Sequence, residues 1–272
     1  MGLSRLTFKE WLFGGIENPF KAGQWGPLHI AVMVSCVALI IGFYFIVKYA
    51  KNKEKAKKII VYTLVGLILF FEILIRYVRT VNLLILTQSA NVMHDLCWIM
   101  LPRPWCAIAC ILLIVSVFVK KPFFYNFASL SALLCSFIFF CYPGVGFNNV
   151  YLLFDNWYSI LTHSLLLTTS ITLIVLKFTS FKFKDFGKLA ICFALTFIYG
   201  LIQIYVLKIH NDPMYFMPHG DIQEGILHIS YGLYLFGYIA IFLTYITLPH
   251  ILDDKETFKK FTAKFKKKEI EN

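Results

Sequence analysis

The chain alternates long apolar blocks with short stretches that hold most of its charge. Seven blocks run at about 28–48, 59–79, 104–119, 123–142, 157–179, 187–208 and 227–249. Each approaches the roughly 17–25 residues that an α-helix needs to cross the hydrocarbon core of a bilayer, and the third is the shortest. A surface helix of a soluble protein keeps one charged face. These blocks carry almost no charge on any face, which is the pattern of helices whose solvent is lipid. The pattern predicts an all-α polytopic membrane bundle of about seven transmembrane helices. Its domains are an outer interfacial segment, 1–27, a membrane domain, 28–250, and a basic tail, 251–272.

Three apolar stretches do not read as spans. Residues 4–13 place Leu6, Phe8, Trp11, Leu12 and Phe13 among charges and suit a segment lying flat on the outer surface. Residues 80–103 are interrupted by Thr87, Gln88, Asn91, His94 and Asp95 and predict a short interfacial or re-entrant piece. Residues 254–272 interleave Phe258, Phe261 and Phe265 with lysines and suit either contact with anionic lipid or a solvated tail. Residues 1–27 lack the apolar core and small-residue site of a cleavable signal peptide.

Lysine and arginine fix the expected orientation, because cytoplasmic loops of membrane proteins are rich in them. With the amino terminus outside, the cytoplasmic side holds the run from Lys48 to Lys58, Lys120 and Lys121, the four lysines from Lys177 to Lys188, and the tail. The outer side holds only Arg5, Lys9, Lys21, Arg76, Arg79, Arg103 and Lys208 of the 26 basic residues. Trp11, Trp25, Trp98, Trp105 and Trp157 all fall on that outer side, near the interface that tryptophan favours. The expected orientation is therefore amino terminus outside and carboxyl terminus cytoplasmic, in a multi-pass protein of the cell membrane.

Composition agrees with lipid as solvent: 59% of residues are apolar, 15% are charged and the mean hydropathy is +0.71. The net charge of +11 lies in loops and tail, so orientation accounts for it and no nucleic-acid partner is expected. The expected partners are membrane lipids. The seven cysteines form no CxxC pair and no disulfide framework, although Cys97 and Cys141 share the outer side. There is no metal-binding spacing, Walker motif, GxSxG elbow or dinucleotide turn, and no cofactor or metal is expected. The seventh block has no lysine for a retinal Schiff base.

Ionisable groups inside a span are costly and therefore informative. Glu72, Arg76 and Arg79 lie in the outer part of the second span, and Glu72 and Arg76, four apart, share a helix face. His29 opens the first span, Cys106 stands near the start of the third, His163 lies two turns into the fifth and His228 opens the seventh. The expected orientation puts all of these at a similar, outer depth, where a bundle can gather them around one cavity. Each also has a plainer reading. Glu72 and Arg76 suit a structural pair, the histidines and Arg79 suit headgroup contact, and Cys106 suits a small core residue. His163, alone in a neutral helix of Thr, Ser and Leu, is the least explained by packing.

Several short runs, in order over residues 24–245, resemble the YwaF family of bacterial membrane proteins, which is related to the animal transmembrane protein 164. Trp25-Gly26-Pro27-Leu28-His29 resembles the run opening that family's first span, and Phe71-Glu72-Ile73-Leu74 resembles its second. Leu101-Pro102-Arg103-Pro104-Trp105-Cys106 resembles the Leu-Pro-Leu-His-Leu-Cys run before its third, with Pro104 where the family usually has histidine. His163 falls where the family has a histidine, and Asn211 to Pro218, with Tyr215 and Phe216, resembles its outer loop. The resemblance implies a lipid acyltransferase or lipid hydrolase with Cys106 and His163 as a catalytic pair. His29, Glu72, Arg76, Asn211, Tyr215 and His228 are the candidate substrate-binding residues. Two other functions fit the pattern of polar residues: a binding or transport protein for a small solute, and a structural membrane component. Hydrogen-bond reach between Cys106 and His163 favours catalysis. A cavity lined by Glu72 and Arg76, with Cys106 facing lipid, favours binding. Polar groups pointing to separate interfaces favour the structural role.

Overall fold

The computed structural model describes residues 25–86, 91–103, 105–141, 147, 153–210, 212, 214–218 and 227–255. The outer segment 4–13, most of the tail, Pro104, Asn211 and His219 lie outside the described residues. The described residues are helical and contain no β-strand. In order they form α1 (Pro27–Tyr49), α2 (Lys53–Val81), α3 (Val92–Met100), α4 (Cys106–Val119), α5 (Pro122–Cys141), α6 (Phe154–Val175), α7 (Phe186–Leu201) and α8 (Tyr231–Asp253). Wide π-helical turns prolong α2 over Asn82–Leu86 and α7 over Ile202–Val206, and a 3₁₀ turn, Phe183–Asp185, leads into α7.

Among the described residues six helical stretches are long and apolar enough to cross a bilayer, so the chain is a multi-pass helical membrane protein. The third predicted block forms a shorter apolar helix, α4, of 14 residues. At the usual rise per residue this is about 21 Å, less than a full hydrocarbon core. Within the interrupted stretch 80–103 the described residues form the π turn and the short α3.

Local chemistry sets the helix ends. Pro27 stands in the first turn of α1, where its missing N–H costs no helical bond. Asn52 caps α2 by accepting a hydrogen bond from the Lys55 N–H (2.9 Å), with Glu54 in the first turn. α4 closes on Lys120 with φ 56°, and Pro122 opens α5 two residues later. So short a connection makes α4 and α5 packed neighbours.

The chain divides into two compact units, residues 1–178 and 179–272. In the first, α6 packs against α1, α2, α4 and α5. Val47, Ile60, Leu64 and Leu176 form one apolar cluster, and Cys36, Phe139, Phe140, Phe147 and Ile160 form another. Buried small polar residues line the facing helices: Ser129, Ser131 and Ser136 on α5, and Thr168, Thr169, Ser170 and Thr172 on α6. Residues this small let helix backbones approach where lipid gives no hydrophobic drive to associate. Only 11% of the most apolar stretch of α1 is buried among the described residues.

In the second unit, α8 carries Tyr231, Tyr234 and Tyr238 on one face. Their hydroxyls donate to the carbonyls of Phe216 (3.1 Å), Tyr215 and Met214 (3.0 Å). Asp212 Oδ1 accepts from the N–H groups of Phe216 (3.0 Å) and Met217 (3.3 Å) and closes the same loop. The other end of α8 is tied down as the Phe181 N–H donates to Asp253 Oδ2 at 2.7 Å.

Candidate functional site

Cys106 is the first residue of α4. The residue before it, Trp105, is 2% exposed and holds φ 45°, a conformation that costs a bulky side chain free energy and persists only when packing fixes it. The break between α3 and α4 therefore places the thiol at a defined point. Ile108 and Ala109 donate back to the carbonyls of Arg103 and Trp105, whereas the N–H groups of Cys106 and Ala107 have no acceptor within the helix.

His163 meets this thiol from α6. Its Nε2 lies 3.2 Å from Cys106 Sγ, and its Nδ1 lies 2.7 Å from the carbonyl oxygen of Ser159. A carbonyl only accepts, so Nδ1 carries the proton of the neutral ring. Nε2 then offers its lone pair to the Cys106 S–H. The Phe139 ring lies flat on the imidazole, with centroids 3.9 Å apart and planes 7° apart, and limits its rotation. The Cys135 thiol of α5 lies beside Cys106.

A second polar group surrounds Glu72, which is 5% exposed. Arg76 pairs with its carboxylate and also donates to its main-chain carbonyl (3.0 Å). The Tyr158 hydroxyl donates to the other carboxylate oxygen at 2.7 Å, and the Cys110 thiol lies alongside. A charge this deep in an apolar bundle is tolerated because it is paired and hydrogen-bonded. Glu72 and Arg76 are thus engaged with each other, which leaves Arg76 poorly placed to hold a further anion.

Two more cations stand near the head of α4. Arg79 reaches the exposed Asp155 at 3.2 Å and lies over the rings of Trp98 and Tyr158. Arg103 lies over the same Trp98 ring, 4.0 Å from its centroid. Burial and the neighbouring Arg79 charge both push the Arg103 guanidinium below its usual range.

The structure thus brings Cys106 and His163 into contact and places Glu72 and Arg76 on adjoining turns. It does not bring His29 to that pair. His29 is 1% exposed and packs among Trp25, Phe140 and Phe147, away from the headgroup contact its position at the start of α1 suggests. Phe147 also touches Phe139, so an aromatic cluster joins the two histidine rings. Tyr215 and His228 belong to the second unit. Tyr215 has φ 56° in the loop held by α8, and His228 is exposed, with φ 49°, ahead of the helix that begins at Tyr231. All seven cysteines are free thiols, Cys97 and Cys141 included. Among the described residues no three His, Cys, Asp or Glu side chains gather to hold a metal.

Sequence reasoning did not find Tyr158, Cys110, Cys135, Trp98 or Arg103 as neighbours of the site. Tyr158 and Arg103 carried some signal, as polar residues at predicted outer helix ends. Cys135 carried none, being one cysteine in an apolar run.

No family model, no curated protein and no solved structure matches the chain.

Proposed function

We propose that the first unit is a membrane-embedded acyl-transfer enzyme acting on lipid esters, with Cys106 as nucleophile and His163 as base. The observation that carries this reading is the 3.2 Å contact between His163 Nε2 and Cys106 Sγ, with Nδ1 fixed on the Ser159 carbonyl. A thiol in apolar surroundings is inert unless a base is close, and this base is held in the tautomer that accepts its proton.

The reaction follows from the geometry. Cys106 Sγ attacks the ester carbonyl carbon as its proton passes to His163 Nε2. The N–H groups of the first turn of α4 offer donors to the resulting oxyanion. The intermediate collapses to a thioester, and the imidazolium returns the proton to the departing alcohol oxygen. A second alcohol, or water, then takes the acyl group by the reverse sequence, which gives transfer or hydrolysis. The resemblance to the YwaF family supports the same chemistry. The lysine and arginine pattern supports seven crossings, the amino terminus outside and a site at outer-leaflet depth in the cell membrane. Solute binding needs Glu72 or Arg76 to be open to a ligand, and the two are already bonded to each other, with Glu72 also held by Tyr158.

The test is labelling of the purified protein in lipid with an acyl-mimetic thiol probe. Wild type is compared with Cys106→Ala and His163→Ala, after each variant is shown to melt as wild type does. Labelling lost in both variants is the expected result. No labelling of wild type, or labelling untouched by His163→Ala, rules out the cysteine mechanism.

A further inference from the structure

We propose that Arg79 and Arg103, both within cation–π reach of the Trp98 ring and close to Cys106, form a seat for a phosphate group, the natural source of which is the headgroup of the acyl-bearing lipid. This rests on the acyl-transfer reading for its purpose but on separate residues for its evidence. The choice among the three arginines follows from their bonds. Arg76 is committed to the Glu72 carboxylate and carbonyl. Among the described residues the one ion pair of Arg79 is to Asp155, whose side chain is 66% exposed, so that pair is weak and easily exchanged for a better anion. Arg103 makes no ion pair among the described residues, and its Nη2 is buried with no hydrogen-bond partner.

A buried guanidinium nitrogen without an acceptor is costly, and two neighbouring guanidinium groups repel each other. An anion that bridges them removes both penalties. A phosphate suits the site in charge and shape, because its oxygens accept the paired N–H groups that guanidinium presents in a plane. The Trp98 ring, 4.0 Å from Arg103 and 5.5 Å from Arg79, helps to hold both guanidinium groups in place. The position suits the task. Arg103 stands three residues before Cys106 and within its electrostatic reach. A lipid held by its phosphate there keeps its ester bonds a few ångströms from the thiol, as acyl attack demands.

The full-length protein in dodecylmaltoside is titrated with dihexanoylphosphatidylglycerol, dihexanoylglycerol, glycerol phosphate and inorganic phosphate, with bound ligand read by native mass spectrometry. Wild type is expected to bind the phospholipid at least about tenfold more tightly than the phosphate-free diacylglycerol. Arg103→Gln and Arg79→Gln are each expected to lose about tenfold for the phospholipid and nothing for the diacylglycerol, and Arg103→Lys to recover part of the loss. Phospholipid binding well above that of glycerol phosphate identifies a lipid headgroup as the source. Equal binding of the two phosphates, still sensitive to Arg103→Gln, identifies a soluble phosphate. Equal binding of phospholipid and diacylglycerol by wild type overturns the seat without the need of any variant. Cys106→Ala, tested in the same titration, separates the two proposals. Retained phosphate binding in Cys106→Ala shows that the seat does not need the thiol, and phosphate binding by a wild type that takes no thiol label leaves the seat standing and removes the acyl chemistry.

Discussion

Glu72 shows how a membrane bundle tolerates a buried charge, and how much it depends on each partner. Its carboxylate is met by Arg76 along the same helix and by Tyr158 from α6. Glu72→Ala leaves the Arg76 guanidinium in place with no counter-charge and is expected to cost about 3 kcal/mol of stability. Tyr158→Phe removes one charge-assisted hydrogen bond and is expected to cost about 2 kcal/mol. Denaturation in mixed micelles gives both values, and a Tyr158→Phe protein as stable as wild type would show that Glu72 finds its second donor elsewhere. These pairings explain what was legible at this scale. Glu72, Arg76 and His163 stood out in the sequence because charge and imidazole are expensive in lipid, and Cys106 followed from its depth. Cys135 and Trp98 did not stand out as neighbours of the site. Which side of a helix a thiol faces depends on helix rotation, and α5, apolar along most of its length, gives little periodic signal that turns Cys135 toward Cys106.

At the scale of elements, the spans were legible because lipid demands a minimum length, while their pairing was not. The short link at Lys120–Lys121 predicts that α4 and α5 are neighbours, but nothing in the pattern predicts that α6 sits against four other helices. The small residues of α5 and α6 mark that packing only in retrospect, since serine and threonine occur on lipid-facing surfaces too. Ser131 tests it. It is fully buried on α5, and its hydroxyl makes no hydrogen bond to a described residue. Ser131→Ala removes an unsatisfied polar atom with little change in volume and is expected to be neutral or slightly stabilising. Ser131→Leu forces extra volume into the helix contact and is expected to cost about 1–3 kcal/mol. If leucine proved as well tolerated as alanine, Ser131 would face lipid or a void. The α8 tyrosines make a parallel case in the second unit. Tyr238→Phe frees the Met214 carbonyl and is expected to raise proteolysis within residues 207–226 while sparing the first unit, as limited digestion in detergent would show.

For the whole molecule the open quantity is the number of crossings, and it turns on α4. That helix has 14 residues, about 21 Å. It can span only if the bilayer thins, or if the flanking 101–105 segment lies within the outer leaflet. We propose that it crosses, on the distribution of charge. If α4 does not cross, Lys120, Lys121, Lys177, Lys182, Lys184, Lys188 and the seven tail lysines all move to the outer face, and the cytoplasmic side keeps few cations beyond the run from Lys48 to Lys58. Such an arrangement inverts the usual bias in three successive places, where an odd number of crossings satisfies it in all of them. Epitope tags at Met1 and after Asn272 are therefore expected to report opposite sides in intact cells: the first reached by external protease, the second only after permeabilisation. Tags on the same side would mean an even count and an α4 that turns back within the membrane. Cys106 and His163 would still touch, because their contact is internal to the first unit. Their depth, and with it the access of a lipid ester from the outer leaflet, would then follow from the opposite face.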